Sequence, residues 1–367
     1  MGWFHETIFL SECKMSLFSN YKRVSNSKAS FQISDLDLSI VNSIRRIGIQ
    51  EIPTVALDFD VTGYRANDHV VIHKNTGVLH NEFLMHRISL VPFHFSLEEI
   101  DAFDPEAYVF KLKVSNKTPA SLLAVTTKDI VIYDAVKNKE MDEAFHKRIL
   151  PANDITHHHI LLTHLKFEEE LDIEFKLAKK TAESHSRWSP VSQCTFSFVE
   201  NQDGKSIGLL SQQRNYKKNK FGEPNEYRFI IQSECGIKPA QIFQRAIEIL
   251  IQKTNDFITA LENKESKVIL ETTPTENFYH IHIDNEDHTL VNMLHSCIYN
   301  HSIRDHIDKR LDYIGYYQPH PLHKSMLMKL KLSDGIDPRS FLIEKGKSIQ
   351  GSLETILADW INFSSSI

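Results

Sequence analysis

Cysteine is scarce in this sequence of 367 residues, and no two cysteines form a Cys-x-x-Cys pair. The four thiols are scattered, at Cys13, Cys194, Cys235 and Cys297. This spacing argues against a disulfide framework and against a zinc site built from cysteines. We therefore interpret all four as reduced thiols.

Long apolar runs and an excess of basic charge are also missing. No stretch approaches the roughly 20 apolar residues of a membrane-spanning helix, and the first residues lack the basic start and apolar core of a signal peptide. With 42 basic and 48 acidic side chains the formal net charge is −6, so the overall field would not hold a polyanion. These absences predict an intracellular protein that binds neither membranes nor nucleic acid non-specifically.

Motifs for catalysis are absent as well, since the sequence has no glycine-rich phosphate loop, no Gly-x-Ser-x-Gly and no His-Glu-x-x-His. One cluster, His157, His158 and His159, with Asp154 before it and His164 after it, offers metal-binding side chains. Neighbouring residues of a strand point to opposite faces, so at most two of the three imidazoles converge. The chain has 20 histidines, which makes a chance cluster the simpler interpretation. We predict no catalytic residue, no metal site and no cofactor.

What the sequence does contain is an internal repeat, which must be recognised before the fold is assigned. DLSIVNSI at residues 37–44 returns as DHTLVNML at residues 287–294. Both copies predict a strand, an acidic turn and an amphipathic helix, and Gly48 and Pro53 are predicted to bound the first helix. The apolar helical positions are Ile40, Val41, Ile44 and Ile47 in the first copy and Leu290, Val291, Leu294 and Ile298 in the second.

A second pair of segments follows the same order. Gly-Ile-Lys-Pro at residues 236–239 and Gly-Ile-Asp-Pro at residues 335–338 each follow an alternating strand and precede a long amphipathic helix. Glycine permits the tight backbone and proline suits a helix start. Chance can produce one short match, but two matches in order indicate two α/β units of one plan. Such units can cover each other's apolar helical faces, like a dimer whose halves have been joined.

Domain boundaries follow from these patterns and from a strand-rich stretch between the two parts of the first unit. A polar segment at residues 201–226 is expected to be a loop. We predict an N-terminal extension (1–20), a discontinuous first module (21–55 and 192–262), a β-rich insert (56–191), a linker (263–277) and a second module (278–367).

The motifs resemble a known family. IVNSIRRIGIQEIPTVAL (40–57), LHNEFLMHRISLVPF (79–93) and SHSRWSPVS (184–192) are similar to segments of the third subunit of eukaryotic RNA polymerases, the archaeal D subunit and, more distantly, the amino-terminal domain of bacterial alpha. EDHTLVNML (286–294) and YIGYYQPHPLHKSMLMKL (313–330) resemble the eleventh subunit or archaeal L. One chain holding both types resembles the fused subunit of large cytoplasmic DNA viruses.

The resemblance implies an α+β fold with two alpha-N-terminal-domain-like dimerisation modules packed as an intramolecular pseudo-dimer, the first carrying the β-rich insert. It implies a non-catalytic polymerase subunit that acts as the assembly platform for the two largest catalytic subunits. Small adaptor subunits of the tenth and twelfth types are further expected partners, and DNA would be contacted only through the complex. A viral protein would be found in the host cytoplasm and the virion, and a cellular one in the nucleus. The alternative is a free-standing interaction module or assembly factor with an alpha-like fold.

Site residues carried over from the family fall into two sets. The set expected at the large-subunit interface is Asn42, Arg45, Arg46, Glu82, His86 and Arg87. The set expected at the intramolecular dimer interface is Ile40, Val41, Ile44, Asp287, His288, Thr289, Leu290, Asn292, Leu294 and His320. Two alternatives remain open. Arg45 and Arg46 could instead belong to a solvated charged face. Glu82, His86 and Arg87 could instead form an ion pair within the insert.

Two further expectations concern the insert. Trp188 and Pro190 are expected in its core. Many family members bind zinc or an iron–sulfur cluster through cysteines there, but this sequence has no cysteine between residues 14 and 193, so we expect no metal in the insert.

Overall fold

The computed structural model describes residues 16–59, 69–154, 156–201, 215–273 and 278–366. The chain divides into two compact units. The repeat unit contains the described parts of Met1–Ile49, Gln193–Gln232 and Pro239–Ile367, and the insert unit contains those of Gln50–Ser192 and Ser233–Lys238.

The secondary structure is mixed. The strands are β1 (Phe18–Arg23), β2 (Lys28–Ser34), β3 (Thr54–Leu57), β4 (Val70–Asn75), β5 (Tyr108–Ser115), β6 (Leu123–Thr126), β7 (Ile130–Asp134), β8 (Lys139–Glu140), β9 (Leu161–Leu165), β10 (Glu170–Phe175), β11 (Leu177–Lys180), β12 (Val191–Phe198), β13 (Glu226–Ser233), β14 (Val268–Thr273), β15 (Phe278–Asp284), β16 (Leu311–Tyr317) and β17 (Ser325–Leu332). The helices are α1 (Leu38–Gln50), α2 (Asn81–Ser89), α3 (Leu97–Asp101), α4 (Glu143–Ile149), α5 (Pro239–Asn263), α6 (His288–Tyr299) and α7 (Pro338–Ser365).

The repeat unit contains two four-stranded sheets of the same construction. One has the strand order β1-β2-β13-β12 and the other β14-β15-β17-β16. When the four strands of each sheet are counted in chain order, a helix follows the second strand and a long helix follows the fourth. We call β1, β2, α1, β12, β13 and α5 the first repeat, and β14, β15, α6, β16, β17 and α7 the second repeat.

The turns of the two repeats share their backbone conformation. Asp35 and Asn285 precede α1 and α6 and both have positive φ, at 58° and 59°. Short polar side chains tolerate this left-handed region better than most. Gly236 and Gly335, at 83° and 82°, precede the two long helices, where glycine avoids the steric cost. The predicted Gly-x-x-Pro helix starts are thus confirmed.

The two long helices, α5 and α7, pack against each other in antiparallel orientation. The indole Nε1 of Trp360, near the end of α7, donates to the carbonyl of Ala240 at 3.2 Å. At the opposite end, Arg339 donates from Nη1 to the carbonyl of Leu261. Counted from the two Gly-Ile-x-Pro turns, Ala240 corresponds to Arg339 and Leu261 to Trp360. The two hydrogen bonds therefore join equivalent positions of the two long helices.

Aromatic side chains join this helix pair to the first sheet. Trp360 is fully buried, and its ring lies 4.9 Å from Phe18, 4.7 Å from Phe31 and 4.5 Å from Phe243 between centroids. A tryptophan of the second repeat therefore lies in the core of the first repeat. Such aromatic contacts contribute beyond the area that they bury.

Two predicted boundaries differ from the structure. Residues 1–20 were expected to be an extension, but β1 begins at Phe18, which is only 2% exposed; residues 1–15 lie outside the described ranges. The expected linker 263–277 contains β14, which pairs with β15 as β1 pairs with β2. Val268 of β14 is buried, so hydrophobic burial and one ladder of hydrogen bonds stabilise β14.

Gly48 does not end α1, because the helix continues to Gln50. A Cβ at position 48 would lie 3.2 Å from Sγ of Cys194 in β12. Glycine at this position therefore permits close packing of helix on sheet, rather than a turn.

The insert unit is strand-rich, as predicted. It contains a five-stranded sheet, β4-β10-β5-β7-β8, and the two-stranded sheets β11-β3 and β6-β9. Trp188 is buried and its Nε1 donates to the carbonyl of Ala178 at 3.2 Å. The histidines 157–159 lie in the loop before β9, not on a strand. Residues 202–214 of the predicted loop lie outside the described ranges, and β13 begins at Glu226.

Candidate subunit interfaces

The starts of α1 and α6 are capped in the same way. The carboxylate of Asp37 accepts a hydrogen bond from the amide of Ser39 at 2.8 Å, and that of Asp287 accepts one from the amide of Thr289 at 2.7 Å. Each aspartate thereby satisfies an amide that the helix leaves without an internal partner. Asp287, which the sequence predicts at the dimer interface, is thus the N-cap residue of α6.

Each cap is also bonded by the other repeat. Arg46 of α1 donates from Nη2 to Asp287 Oδ2 at 2.7 Å and from Nε to Thr289 Oγ1 at 2.8 Å. Asn300, after α6, donates from Nδ2 to Asp37 Oδ2 at 2.6 Å. The contact between α1 and α6 is therefore reciprocal in position but unequal in charge.

The apolar residues predicted for this interface are all buried. Ser43 of α1 donates from Oγ to the carbonyl of Thr289 at 2.7 Å in a buried hydrogen bond. This hydrogen bond shows that α1 and α6 are in direct contact. The buried apolar positions, each at most 1% exposed, are Ile40, Val41, Ile44, Leu290 and Leu294.

Electrostatics favours the charged form of Asp287. Partial burial raises the pKa of this carboxyl, but the hydrogen bonds from the hydroxyl and amide of Thr289 and the ion pair with Arg46 lower it, and the net pKa lies below the ordinary value. The side chains of Arg46 and Asp287 are 31% and 32% exposed. An ion pair that is partly buried and also hydrogen-bonded is stronger than one fully exposed to solvent.

The two adjacent arginines of α1 differ in their partners. The guanidinium of Arg46, predicted for the large-subunit interface, is used inside the chain by the second repeat. Arg45 donates from Nε to Asn42 Oδ1 at 3.1 Å. Within the described ranges, its two terminal nitrogens have no hydrogen-bond or ion-pair partner. Arg45 thus keeps the donors that a partner protein could use.

The remaining residues of the predicted interface set lie within the second repeat. Asn292 Oδ1 accepts a hydrogen bond from the hydroxyl of Tyr316 at 3.1 Å, and the His288 ring lies 5.8 Å from the Tyr316 ring. His320 is exposed on the turn between β16 and β17, where its Nδ1 accepts from the amide of Leu322. The contacts of His320 with described residues lie within this turn, so its place at the interface stays a prediction.

An open groove of 1060 Å³ lies beside the α1–α6 contact. The equivalent residues Asn42 and Asn292 both line it. Arg304 closes one side, with its guanidinium 4.3 Å from the Phe221 ring centroid and 2.8 Å from Glu223 Oε2. Other lining residues include Asp35, Asp37, Leu38, Phe198, Asn225 and Asp305. The groove therefore combines exposed apolar side chains with an acidic rim.

A second surface lies on α2 in the insert unit. Leu84, Met85 and Ile88 face the core, while the positions between them are exposed. Arg87 donates from Nε and Nη2 to the carbonyls of Leu162 and Leu161, each at 2.9 Å. Among the described residues, Arg87 therefore bonds to backbone carbonyls of β9 instead of forming an ion pair within the insert. We call Glu82, Phe83, His86, Arg87 and Leu90 the α2 surface.

Two members of this surface were missed by the motif comparison. Phe83 is 68% exposed and Leu90 is 49% exposed. Residues 83, 86, 87 and 90 fall on one helical face, opposite the buried one. An apolar residue on the polar side of an amphipathic helix is the sequence signal that could have identified Phe83. Exposed aromatic and arginine side chains are typical of protein interfaces.

The three cysteine thiols in the described ranges are buried. Burial raises the pKa of Cys194 to about 12 and that of Cys235 to about 11, so these thiols remain protonated. No group of three or more metal-binding side chains is found in those ranges. No helix there is long and apolar enough to span a bilayer.

Two four-stranded sheets with the same strand order, each followed by a long helix, define a chain of two tandem dimerisation-type domains. Comparison with known families agrees with this division. Residues 30–254 match the RNA polymerase Rpb3/Rpb11 dimerisation domain, and residues 279–359 match a second family of that description. The chain belongs to the RNA polymerase Rpb3/Rpb11 dimerisation-domain family.

Several relatives are named RNA polymerase subunits. The chain is 24% identical over 276 residues to DNA-directed RNA polymerase II subunit RPB3 of Schizosaccharomyces pombe, covering 66% of this chain and 87% of that protein. It is 26% identical over 190 residues to subunit 3 of RNA polymerases II, IV and V of Arabidopsis thaliana, covering 48% of this chain and 55% of the relative. It is 27% identical over 201 residues to the rpac1 subunit of RNA polymerases I and III of Dictyostelium discoideum, covering 52% and 54%. The chain thus spans about half the length of the last two.

Proposed function

We propose that the chain is a non-catalytic core subunit of a multisubunit DNA-directed RNA polymerase and acts as the assembly platform for the two large catalytic subunits. The tandem family matches and the names of the relatives support this proposal. The observation that carries it is the reciprocal bonding of the α1 and α6 caps, which gives one chain both halves of a dimerisation surface.

We further propose that the two repeats form an intramolecular pseudo-dimer. The counterpart hydrogen bonds at the two ends of the α5–α7 pair support it. The turn between the repeats consists of residues 264–267, so the connection is short. A short connection holds the second repeat at a high effective concentration beside the first. Pairing then does not depend on the relative expression of two chains.

Two surfaces are proposed to receive the large subunits. In the repeat unit, the terminal guanidinium nitrogens of Arg45 have no partner among the residues that the structure describes. They suit a carboxylate or a carbonyl of a partner protein. In the insert unit, Phe83 and Leu90 offer apolar area beside Arg87. Hydrophobic anchors flanked by arginine carry a large share of binding energy at protein interfaces. The insert residues Glu82 and His86 would lie at the edge of such a contact.

The proposal extends to the remaining partners and the location of the protein. Small adaptor subunits of the tenth and twelfth types would bind the same platform, and DNA would be contacted through the complex. A viral polymerase would place the chain in the host cytoplasm and virion, and a cellular polymerase would place it in the nucleus.

Affinity purification of the intact chain from its native source at high salt tests the proposal. We expect two very large catalytic subunits in stoichiometric amounts, without separate third-type and eleventh-type chains. Recovery of the chain without large subunits would contradict a core role and favour a free-standing interaction module.

A variant sharpens the test of the α2 surface. Phe83→Asp places a charge in the proposed contact and is expected to abolish co-purification of a large subunit while the thermal unfolding of the chain is unchanged. Val136, which is 88% exposed in the same unit, provides the matched control, and Val136→Asp should co-purify normally. Normal recovery with Phe83→Asp would remove the α2 surface from the proposed interface.

A further inference from the structure

The contact between α5 and α7 contains a glycine that accommodates a large side chain of the other repeat. Ideal Cβ placement at Gly346 of α7 would put that atom 2.8 Å from Cγ1 and 3.3 Å from Cδ1 of Ile258 in α5. Ile258 is only 3% exposed, and its β-branched side chain is stiff in a helix. The missing side chain of Gly346 is therefore a notch that Ile258 fills.

The first repeat has no such notch. Position 247 lies as far after Gly236 as position 346 lies after Gly335, and it holds isoleucine. The correspondence agrees with burial, because Ile247 is fully buried and its neighbours Phe243 and Leu250 correspond to the buried Leu342 and Ile349. The two repeats thus present opposite shapes at the same position of their paired helices.

We propose that this notch directs pairing, so that the first repeat pairs with the second repeat and not with a copy of itself. In a pair of two first repeats with the observed geometry, Ile247 of each would face Ile258 of the other. The Cβ atom alone would already be too close, and the side chain would add three more carbon atoms. By symmetry the overlap would occur twice. Overlap of this kind against an unwanted partner is a common source of specificity.

The second repeat gains from the same choice of partner. Arg46 of the first repeat bonds the Asp287 cap. The residue of the second repeat at the position of Arg46 is Ser296. Two second repeats paired with each other would therefore leave both Asp287 carboxylates without a guanidinium. Steric overlap therefore disfavours a pair of two first repeats, and loss of the Arg46–Asp287 ion pair weakens a pair of two second repeats.

This inference rests on the proposed pseudo-dimer and deepens it, and subunit exchange tests it. A protease site is placed in the exposed turn at residues 264–267 of the full chain, which is then nicked so that both repeats remain present. Nicked chains with and without ¹⁵N label are mixed, allowed to exchange and weighed by native mass spectrometry. We expect pairs of a first with a second repeat to dominate. Pairs of two first repeats in comparable amount would overturn the proposal.

A variant should change the outcome. Ile247→Gly opens a notch in α5 and is expected to raise the fraction of first-repeat pairs about tenfold, the ratio that 1.4 kcal/mol supplies. Gln252→Gly introduces the same residue at an exposed position of the same helix and should leave the fraction unchanged. An equal effect of the two glycines would count against the notch.

A measurement on the intact chain covers the case in which Ile247→Gly does not fold. Gly351 lies five residues after Gly346 in α7, and a Cβ there would meet nothing within 4 Å. We expect Gly346→Ile to lower the melting temperature clearly, Gly351→Ile to leave it nearly unchanged, and Ile258→Ala to restore part of the loss in the Gly346→Ile background. Equal shifts for the two glycine positions would overturn the proposal. A chain whose first repeats pair with each other could still co-purify with the large subunits. That result would overturn the proposed pairing preference and would leave the proposed function unchanged.

Discussion

The two repeats share their backbone plan and differ in the side chains that fill it. Strand order, the left-handed residue before the first helix and the Gly-x-x-Pro start of the second helix are the same in both. Yet Trp360 occupies the position of Leu261, Gly346 that of Ile247 and Arg46 that of Ser296. Turn chemistry and hydrophobic periodicity are sufficient to preserve a topology. The divergent positions give each repeat its own role in the contact.

A buried charge marks the second repeat. Lys345 is 2% exposed, and its Nζ lies 2.6 Å from Asp308 Oδ2. Arg310 bridges Asp308 and Glu344, at 2.7 and 2.5 Å. The first repeat has Ala246 at the position of the lysine. A buried lysine is tolerated only with a charge partner. The second repeat therefore needs Asp308 beside Lys345, whereas the first repeat, with Ala246, needs no such partner.

The largest difference between the repeats should be measured at Trp360. Trp360→Ala removes the indole that packs against Phe18, Phe31 and Phe243, and should lower the free energy of unfolding by about 3–5 kcal/mol. Urea denaturation measures the loss. Ile361, the next residue of α7 and 42% exposed, supplies the control, since Ile361→Ala should cost less than about 1 kcal/mol. Similar losses for both would contradict a second-repeat tryptophan in the first-repeat core.

The charge cluster should come next. Asp308→Asn leaves Lys345 buried without its carboxylate and should cost about 3 kcal/mol at neutral pH. Glu344→Gln, at a side chain that is 56% exposed, should cost much less.

The same variant tests a pH dependence. Burial alone raises the pKa of Asp308, but hydrogen bonds from Arg310 and Lys345 outweigh burial and hold it well below its ordinary value of 3.8. The unfolded chain therefore binds a proton more readily than the folded one, so the stabilisation by this carboxylate is complete above pH 3.8 and is lost as the pH falls further. Wild type should lose more stability than Asp308→Asn between about pH 4 and pH 2. Parallel curves would contradict the assigned role of Asp308.

A moderate effect should separate the two arginines of α1. Arg46→Ala removes the bonds to Asp287 and Thr289 and should lower the free energy of unfolding by about 1–2 kcal/mol. Arg45→Ala should change it by less than about 0.5 kcal/mol but weaken retention of a large subunit at high salt. If Arg45→Ala lowered the free energy of unfolding and Arg46→Ala weakened retention of the large subunit, Arg46 and not Arg45 would be the residue that contacts the partner.

The smallest effect should come from the open glycine of α7. Gly351→Ala should stabilise the chain by about 0.5–1 kcal/mol, because alanine loses less backbone entropy in a helix. Gly346→Ala should instead destabilise it, since the new Cβ meets Ile258. Stabilisation by both substitutions would show that the notch is not filled.

The repeat could be predicted because its signals are local. Helical spacing in α1 and α6, the Asp287 cap and the two Gly-Ile-x-Pro turns are each recognisable within a few residues. Strand β14 could not be recognised that way. It is an edge strand in which Val268 is buried and Ile269 is 44% exposed, within a polar stretch, and only its pairing with β15 distinguishes it from a linker.

The interface could be predicted only in part. The apolar positions of α1 and α6 follow from periodicity, but the direction of a long side chain does not. Arg46 reaches a carboxylate 241 positions away in the chain, which no local pattern contains. His320 is predicted at the interface from a motif alone, and a motif does not determine which contacts a side chain makes.

The pairing of the two repeats within one chain can be tested most directly by zero-length cross-linking. Lys347 of α7 lies 2.7 Å from a carboxylate oxygen of Glu262 in α5, within reach of carbodiimide coupling. In a dilute mixture of ¹⁴N and ¹⁵N chains, pairing within one chain predicts a Glu262–Lys347 cross-link in which both peptides carry the same label. Absence of that cross-link, or mixed labels in about half of its copies as random pairing between chains would give, would contradict pairing of the two repeats within one chain.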